Sequence, residues 1–186
     1  MKAKKIVLIF IPINLILAFL IYDSINSQVK FNKEAKLRIA ENVQKLKDLR
    51  QLQINYKQAK GEFAKDFTSL IYFLENDSIV IINAIGETPD SLTEIEAIEL
   101  GIISRDTSYV PAKGNIFDNT YMDSRKNQFN LDLNTLTNVP HSDATFNIDA
   151  GQIEKGNVIV QVFEISTNYR TVFAGLDAEN KSYELD

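Results

Sequence analysis

The sequence predicts an α+β protein: an N-terminal transmembrane helix continues into a long amphipathic helix, which leads into a small mixed α+β head with a mainly antiparallel sheet. Three observations predict this class: a basic start followed by an apolar run, a periodic stretch without Pro or Gly at residues 24–60, and a remainder in which short helical and β-branched segments alternate. The 186 residues are 45% hydrophobic and 24% charged, as in globular proteins. Four parts follow: a cytoplasmic basic tail (1–5), a transmembrane helix (6–22), a stalk (23–45) and a periplasmic head (46–186).

The apolar run begins at Ile6 and is 17 residues long, the lower limit for a helix that crosses about 30 Å of hydrocarbon. Lysines before it stay on the cytoplasmic side under the positive-inside rule, and a tyrosine at its end suits the membrane interface. These topology residues are Lys2, Lys4, Lys5 and Tyr22. We therefore expect a single-pass protein of the bacterial inner membrane with its C-terminal head in the periplasm. The alternative is a cleaved signal peptide, although no small-x-small cleavage site precedes Asp23.

Two residues interrupt the apolar run. Pro12 frees a backbone carbonyl, and Asn14 carries a side-chain amide that needs a partner within hydrocarbon. Either residue could contact another membrane helix. The alternative is a kink in which Asn14 bonds to its own backbone.

The neck that follows is predicted to be an amphipathic helix ending at Gly61, with weaker helical character in its more polar part, residues 24–34. Its apolar positions recur at steps of three or four: Ile39, Val43, Leu46, Leu49, Leu52, Tyr56 and Ala59. This stripe either pairs with a copy of itself or a partner helix, or packs on the chain's own head. The heptad pattern is short, which favours packing on the head.

The head is predicted to alternate short elements. Two helices are expected at Asp66–Leu74 and Glu94–Leu100, a well-buried strand at Ser78–Ile85, and another strand at Ile102–Val110. Residues 114–145 are rich in Asn, Asp, Ser and Thr and predict a long, partly ordered excursion. Then come strand segments Phe146–Ala150, Gln152–Lys155 and Val158–Ile165 with a hairpin turn at Gly156-Asn157, a short helix at Asn168–Leu176, and a polar end, Asp177–Asp186.

Composition restricts the chemistry. The chain has no Cys and one His, which excludes disulfide scaffolds, cysteine catalysis, thiolate metal sites and sites built on two histidines. Residues 67–186 carry seven basic and nineteen acidic side chains, whereas residues 30–66 carry ten basic and five acidic ones. The acidic head argues against a nucleic-acid partner, and the basic stalk suits anionic membrane lipid.

Three groups of polar residues are candidates for a catalytic or metal site. His141 has hydroxyl and carboxylate neighbours, Asn130, Asp132 and Asn134 alternate like the start of a calcium loop near Asp118 and Asp123, and a third group joins Glu94, Glu96 and Glu99. A lone loop His is usually a surface residue, and the calcium-loop glycine and distal glutamate are missing. Each group is therefore expected to be solvated surface, and no catalytic residue, metal or cofactor is predicted.

The neck also carries a family resemblance. Leu49–Tyr56 (LRQLQINY), then Gly61-Glu62-Phe63 and Leu70, resembles the neck of type IV pilins and type II pseudopilins, where a long N-terminal helix ends in a Tyr-x4-Gly-x-aromatic turn before a sheet. The family's Gly-Phe-Thr-Leu-x-Glu-like processing site and its early glutamate do not occur here. The resemblance implies a filament subunit packed by its N-terminal helix.

A second resemblance extends over most of the chain after the membrane span. Five segments of the chain carry it: Pro89–Glu94, Leu100–Ile102, Arg105–Val110, Ile153–Val158 and Val162–Glu164. These segments resemble uncharacterised single-pass envelope proteins of Bacteroidota. This resemblance implies an address and an architecture, and no activity.

These observations predict a non-catalytic, inner-membrane-anchored periplasmic protein, a structural or scaffold subunit of a cell-envelope assembly. Its expected partners are membrane lipid and proteins of an envelope complex, with a second copy of the chain as the alternative protein partner. The first alternative is a pilin- or pseudopilin-like filament subunit. The second is an envelope hydrolase or glycan-binding protein that uses the acidic excursion 114–145.

Overall fold

The computed structural model describes residues 2–89, 91–125 and 129–176, and for residues 2–9 and 84 it describes the backbone alone. In chain order the elements are α1 Lys2–Lys60, α2 Phe67–Asn76, β1 Ser78–Ile85, α3 Glu94–Glu99, β2 Ser104–Pro111, α4 Ala112–Ile116, α5 Asn119–Ser124, a 3-10 turn Leu133–Thr135, β3 Asn147–Lys155, β4 Val158–Ser166 and α6 Tyr169–Val172. The α+β class, with a long N-terminal apolar helix and small antiparallel sheets, is confirmed. The predicted polar end, Asp177–Asp186, lies outside the described residues.

Helix α1 is one continuous element of 59 residues. The weaker helix expected at residues 24–34 is wrong, because this stretch has no breaker and its polar side chains bond along the helix, as Gln28 does to Asn32 at 3.0 Å. Pro12 lies inside the helix. The Asn14 amide donates to the Phe10 carbonyl at 2.9 Å, which is the backbone-bonded alternative for that residue.

The chain divides into two compact units. Of the described residues, the first comprises 2–43, 138–145 and 167–176, and the second comprises 44–89, 91–125, 129–137 and 146–166. In the first unit, Phe173 contacts the ring of Phe31 edge-on at 5.6 Å and stacks on Tyr169 at 5.5 Å. Arg38 donates to the carbonyls of Val172 and Ala174, which ties the α6 end to α1.

In the second unit, the end of α1 is held by a turn and by side-chain bonds. Gly61 has φ of +84°, a left-handed conformation that a glycine adopts without strain, and its N–H bonds to Lys57. Gln53 is buried and exchanges two hydrogen bonds with the backbone of Ala64, at 2.8 and 3.0 Å. The core includes Leu49, Leu52, Leu70, Phe73, Leu74, Ile116 and Leu136.

Local capping explains why the short helices begin where they do. Asp66 accepts from Ser69 N–H at the start of α2, and Thr93 forms a reciprocal capping box with Glu96 at the start of α3. These hydrogen bonds hold the pKa of each carboxyl, Asp66 and Glu96, below its usual value. Both helices lie within a residue or two of their predicted positions.

Among the described residues, the strands form two separate two-stranded antiparallel sheets within the second unit. β3 and β4 are joined by a tight turn, whereas residues 86–103, which include α3, join β1 to β2; we call the latter pair the β1–β2 hairpin. β1 pairs with β2 from Ser78↔Pro111 to Ile85↔Ser104, and β3 pairs with β4 from Asn147↔Ser166 to Lys155↔Val158. The predicted turn at Gly156-Asn157 closes the second hairpin. β3 runs on through Gly151, so the break expected there is absent.

One expectation for the head is corrected. β1 is not well buried, since only Ile79 is buried among its residues with a described side chain and most of the others are exposed, as a two-stranded sheet leaves one face uncovered. The described part of the excursion 114–145 holds α5, the 3-10 turn and the end of α4. The Asp118 side chain caps α5 by accepting from the Tyr121 N–H, and the Asp132 side chain caps the 3-10 turn by accepting from the Asn134 N–H.

Candidate functional site

The apolar part of α1 is a candidate membrane span. Length and composition suffice for crossing a bilayer, and the side chains from Phe10 to Tyr22 are all exposed. Exposed side chains that are apolar except for Asn14 along these thirteen residues would be costly in water and are favourable in hydrocarbon. Tyr22, Pro12 and Asn14 lie in this exposed stretch, whereas the side chains of Lys2, Lys4 and Lys5 lie outside the described part.

The neck residues differ in burial along the stripe. Leu49 and Leu52 are fully buried in the second unit, and Tyr56 is half-buried with its ring edge-on to Phe73 at 5.3 Å. Leu46 and, in the first unit, Ile39 are half-buried; Val43 is exposed.

A buried charge pair, Asp48 and Arg125, lies beside this part of the neck. Its side chains are 1% and 3% exposed, and two hydrogen bonds at 2.9 and 3.0 Å join them in the bidentate geometry that carboxylate and guanidinium prefer. The Tyr121 hydroxyl donates to Asp48 Oδ1 at 2.8 Å, and the Gln44 amide donates to the same oxygen at 3.0 Å. Burial, with the bond to Asp48, raises the pKa of Tyr121 well above its ordinary value.

Sequence reasoning missed this pair. Asp48 is one of five acidic residues in the charged stretch 30–66, and Arg125 lies in the polar excursion. They are 77 positions apart, so no local spacing relates them. The available signal was weak: an aspartate directly before a leucine of the apolar stripe.

A cavity of about 390 Å³ opens beside the pair, and we call it the basic cavity. Arg125 and Tyr121 line it from one side, and α1 contributes Lys47 and Arg50 from the other. Lys47 and Arg50 are exposed, so their charges face solvent and the cavity. The cavity therefore carries three cations, of which Asp48 neutralises one.

The β1–β2 hairpin presents an uncovered apolar face. Opposed residues of an antiparallel pair share a face, and Val80 lies opposite Tyr109 with Ile82 two residues along β1. Their exposures are 46%, 72% and 57%, which is high for side chains of this size and polarity. These three residues are the hairpin face. Four further exposed apolar residues follow on α3 and the loop after it: Ile95, Ile98, Leu100 and Ile102.

The polar groups that the sequence offers as candidate catalytic or metal sites lie apart in the described structure. His141, with a positive φ of 62°, bonds to Glu41 at 2.8 Å within the first unit. In the second unit, Glu94 pairs with Arg105. Among the described residues, no three His, Asp or Glu side chains come together in a geometry that could hold a metal ion.

Comparison of the chain with protein-family models, curated proteins and solved structures finds no match.

Proposed function

We propose that this protein is an inner-membrane-anchored scaffold of the cell envelope, whose periplasmic head binds another protein through the hairpin face. The observation that carries the proposal is the exposed apolar surface of β1–β2, which lies in a different compact unit from the apolar anchor. Contiguous exposed apolar surface marks protein or membrane interaction sites, and we propose a protein partner for this face.

The chemistry of the hairpin face suits a protein partner. Val80, Ile82 and Tyr109 offer branched aliphatic and aromatic surface, and aromatic side chains are enriched where interfaces bury most. The described part of each strand pairs on one side only, so an edge of β1 is also open to an added strand. β1 carries no charged side chain that would oppose pairing.

The anchor supports the address. Under the positive-inside rule, the lysines before the apolar part of α1 keep that end in the cytoplasm. The rest of the chain then lies in the periplasm, where the absence of Cys from the sequence leaves folding independent of oxidation.

The test is cross-linking of the full-length chain in native membranes, followed by identification of the attached protein. Ile82→Asp places a charge in the hairpin face and should abolish recovery of the partner. Ile85→Asp is the matched control, because Ile85 on the same strand is also exposed, lies opposite Ser104, and points to the opposite face from Ile82. An identical set of cross-linked proteins from both variants, or none from the unmodified chain, contradicts the proposal.

A second candidate is a pilin-like filament subunit. The specific observation in its favour is that α1 is a single helix from Lys2 to Lys60 that ends in the Gly61 turn, with Phe63 packed on Phe163 at 4.7 Å. Such a subunit leaves the membrane and packs by its N-terminal helix. Shearing of cells and recovery of the chain in a pelleted filament fraction would favour this candidate over a retained anchor.

A further inference from the structure

The basic cavity has donors to spare. Arg125 has five N–H groups: Asp48 takes one from Nε and one from Nη2, and the Phe129 carbonyl takes one from Nη1 at 3.0 Å. One N–H on each terminal nitrogen has no hydrogen-bond acceptor among the described residues. Because Arg125 is itself almost completely buried, these donors are fixed in place before any ligand arrives.

Asp48 is already hydrogen-bonded through both of its carboxylate oxygens. Its Oδ1 accepts from Arg125, Tyr121 and Gln44, and its Oδ2 accepts from Arg125. Its charge is paired with Arg125, whereas Lys47 and Arg50 form no ion pair in the described part of the chain.

The surroundings make this local excess unusual. The described residues of the second unit carry ten basic and sixteen acidic side chains, so the unit as a whole is acidic. Lys47 and Arg50 lie on one turn of α1 beside the buried Arg125 guanidinium. Together they form a positively charged site within an acidic unit. Such a site attracts and orients a small anion.

We propose that the basic cavity binds an oxyanion, the phosphate or carboxylate group of a small ligand. The two spare N–H groups of Arg125 form the fixed base of the site, and Lys47 and Arg50 close on the anion from α1. A volume of about 390 Å³ exceeds a bare phosphate and falls within the range of small-molecule pockets, so the cavity has room for the rest of a larger molecule that carries the anion. The half-exposed Ile54 at the cavity wall supplies apolar contact for the remainder.

The experiment is equilibrium dialysis of the full-length chain in detergent micelles against labelled inorganic phosphate and, separately, labelled acetate, at constant ionic strength in chloride. The two probes distinguish a phosphate ligand from a carboxylate ligand. We expect saturable binding of at least one probe, weakened by about tenfold or more in the double variant Lys47→Ala/Arg50→Ala, since two charged partners are lost.

The matched control is Lys113→Ala/Lys155→Ala, which removes two exposed lysines elsewhere in the same unit. It should bind the probe as the unmodified chain does, because it changes net charge by the same amount and leaves the cavity intact. Circular dichroism confirms that both double variants fold. The inference is overturned if neither probe binds saturably, or if both double variants bind equally.

Discussion

Replacing Asp48 with asparagine should destabilise the second unit by about 3–5 kcal/mol, the usual cost of removing one partner from a buried ion pair. The carboxylate and the Arg125 guanidinium are 1% and 3% exposed, so water cannot replace the lost charge. Asparagine also replaces one carboxylate oxygen with an amide N–H₂ group, which would face the N–H donors of Arg125. At about 2–4 °C per kcal/mol for a chain of this length, the melting temperature should fall by about 6–20 °C.

The control for this prediction is Glu94→Gln, which breaks an ion pair whose side chains are 57% and 44% exposed. Exposed pairs contribute about 0–1 kcal/mol, so this variant should melt close to the unmodified chain. The assay is thermal unfolding of the full-length protein in detergent, followed by circular dichroism. A shift in Asp48→Asn no larger than that in Glu94→Gln would refute the reasoning.

A double replacement separates the charge from the packing. In Asp48→Leu/Arg125→Met both buried charges disappear together, so neither is left uncompensated. Apolar replacement of a whole buried pair is often neutral or stabilising. We therefore expect the double variant to melt well above Asp48→Asn. If it melts as low or lower, the loss in Asp48→Asn is due to packing and hydrogen bonds to Tyr121 and Gln44 rather than to the orphaned charge.

Three further predictions follow. Leu49→Ala should cost about 2–5 kcal/mol because Leu49 is fully buried, whereas Leu37→Ala, on the same helix but 50% exposed, should shift the melting temperature little; equal midpoints would contradict packing of the neck on its own head. The raised pKa of Tyr121 means that its stabilising effect is complete below about pH 10 and is lost as pH rises further, so Tyr121→Phe should flatten the alkaline decline in melting temperature, and an unchanged slope would be inconsistent. Mass spectrometry of the membrane-extracted protein should find the initiating segment, and a chain starting near Ser24 would show that the anchor is cleaved.

The elements predicted most accurately from the sequence are those whose ends are marked by neighbouring residues. Asp66 and Thr93 each stand directly before a helix and accept a hydrogen bond from its first turn, so the position of the helix follows from neighbouring residues. The Gly156-Asn157 turn likewise fixes the β3–β4 register from within the hairpin.

Burial in the sheets depended on information that is not local. The β-branched composition of β1 predicts a strand, yet it is the same whether one face or both are covered. Whether Val80 and Ile82 face a core depends on which elements pack on the hairpin, and the two hairpins form separate sheets. Alternation along one strand cannot reveal that outcome.

The candidate site was hidden for a related reason. A polar excursion predicts solvated side chains, and polar residues such as Asp118, Asp123 and Asn134 are indeed exposed. Arg125 departs from it because Asp48, the Phe129 carbonyl and the packing of α5 beside α1 together satisfy a guanidinium away from water. Each partner is ordinary in the sequence, and only the tertiary structure brings them together.

Binding of a partner to the hairpin face would affect the stability of the small β1–β2 sheet. A two-stranded hairpin alone is barely stable in water, and β1–β2 has α4 as its neighbour while Val80, Ile82 and Tyr109 stay exposed. A partner that covers these three residues removes apolar area from water and binds only the folded hairpin, so it stabilises the hairpin by mass action. An exposed apolar face is thus tolerable in a protein that remains bound to its partner. The proposed scaffold subunit of an assembly would meet that condition.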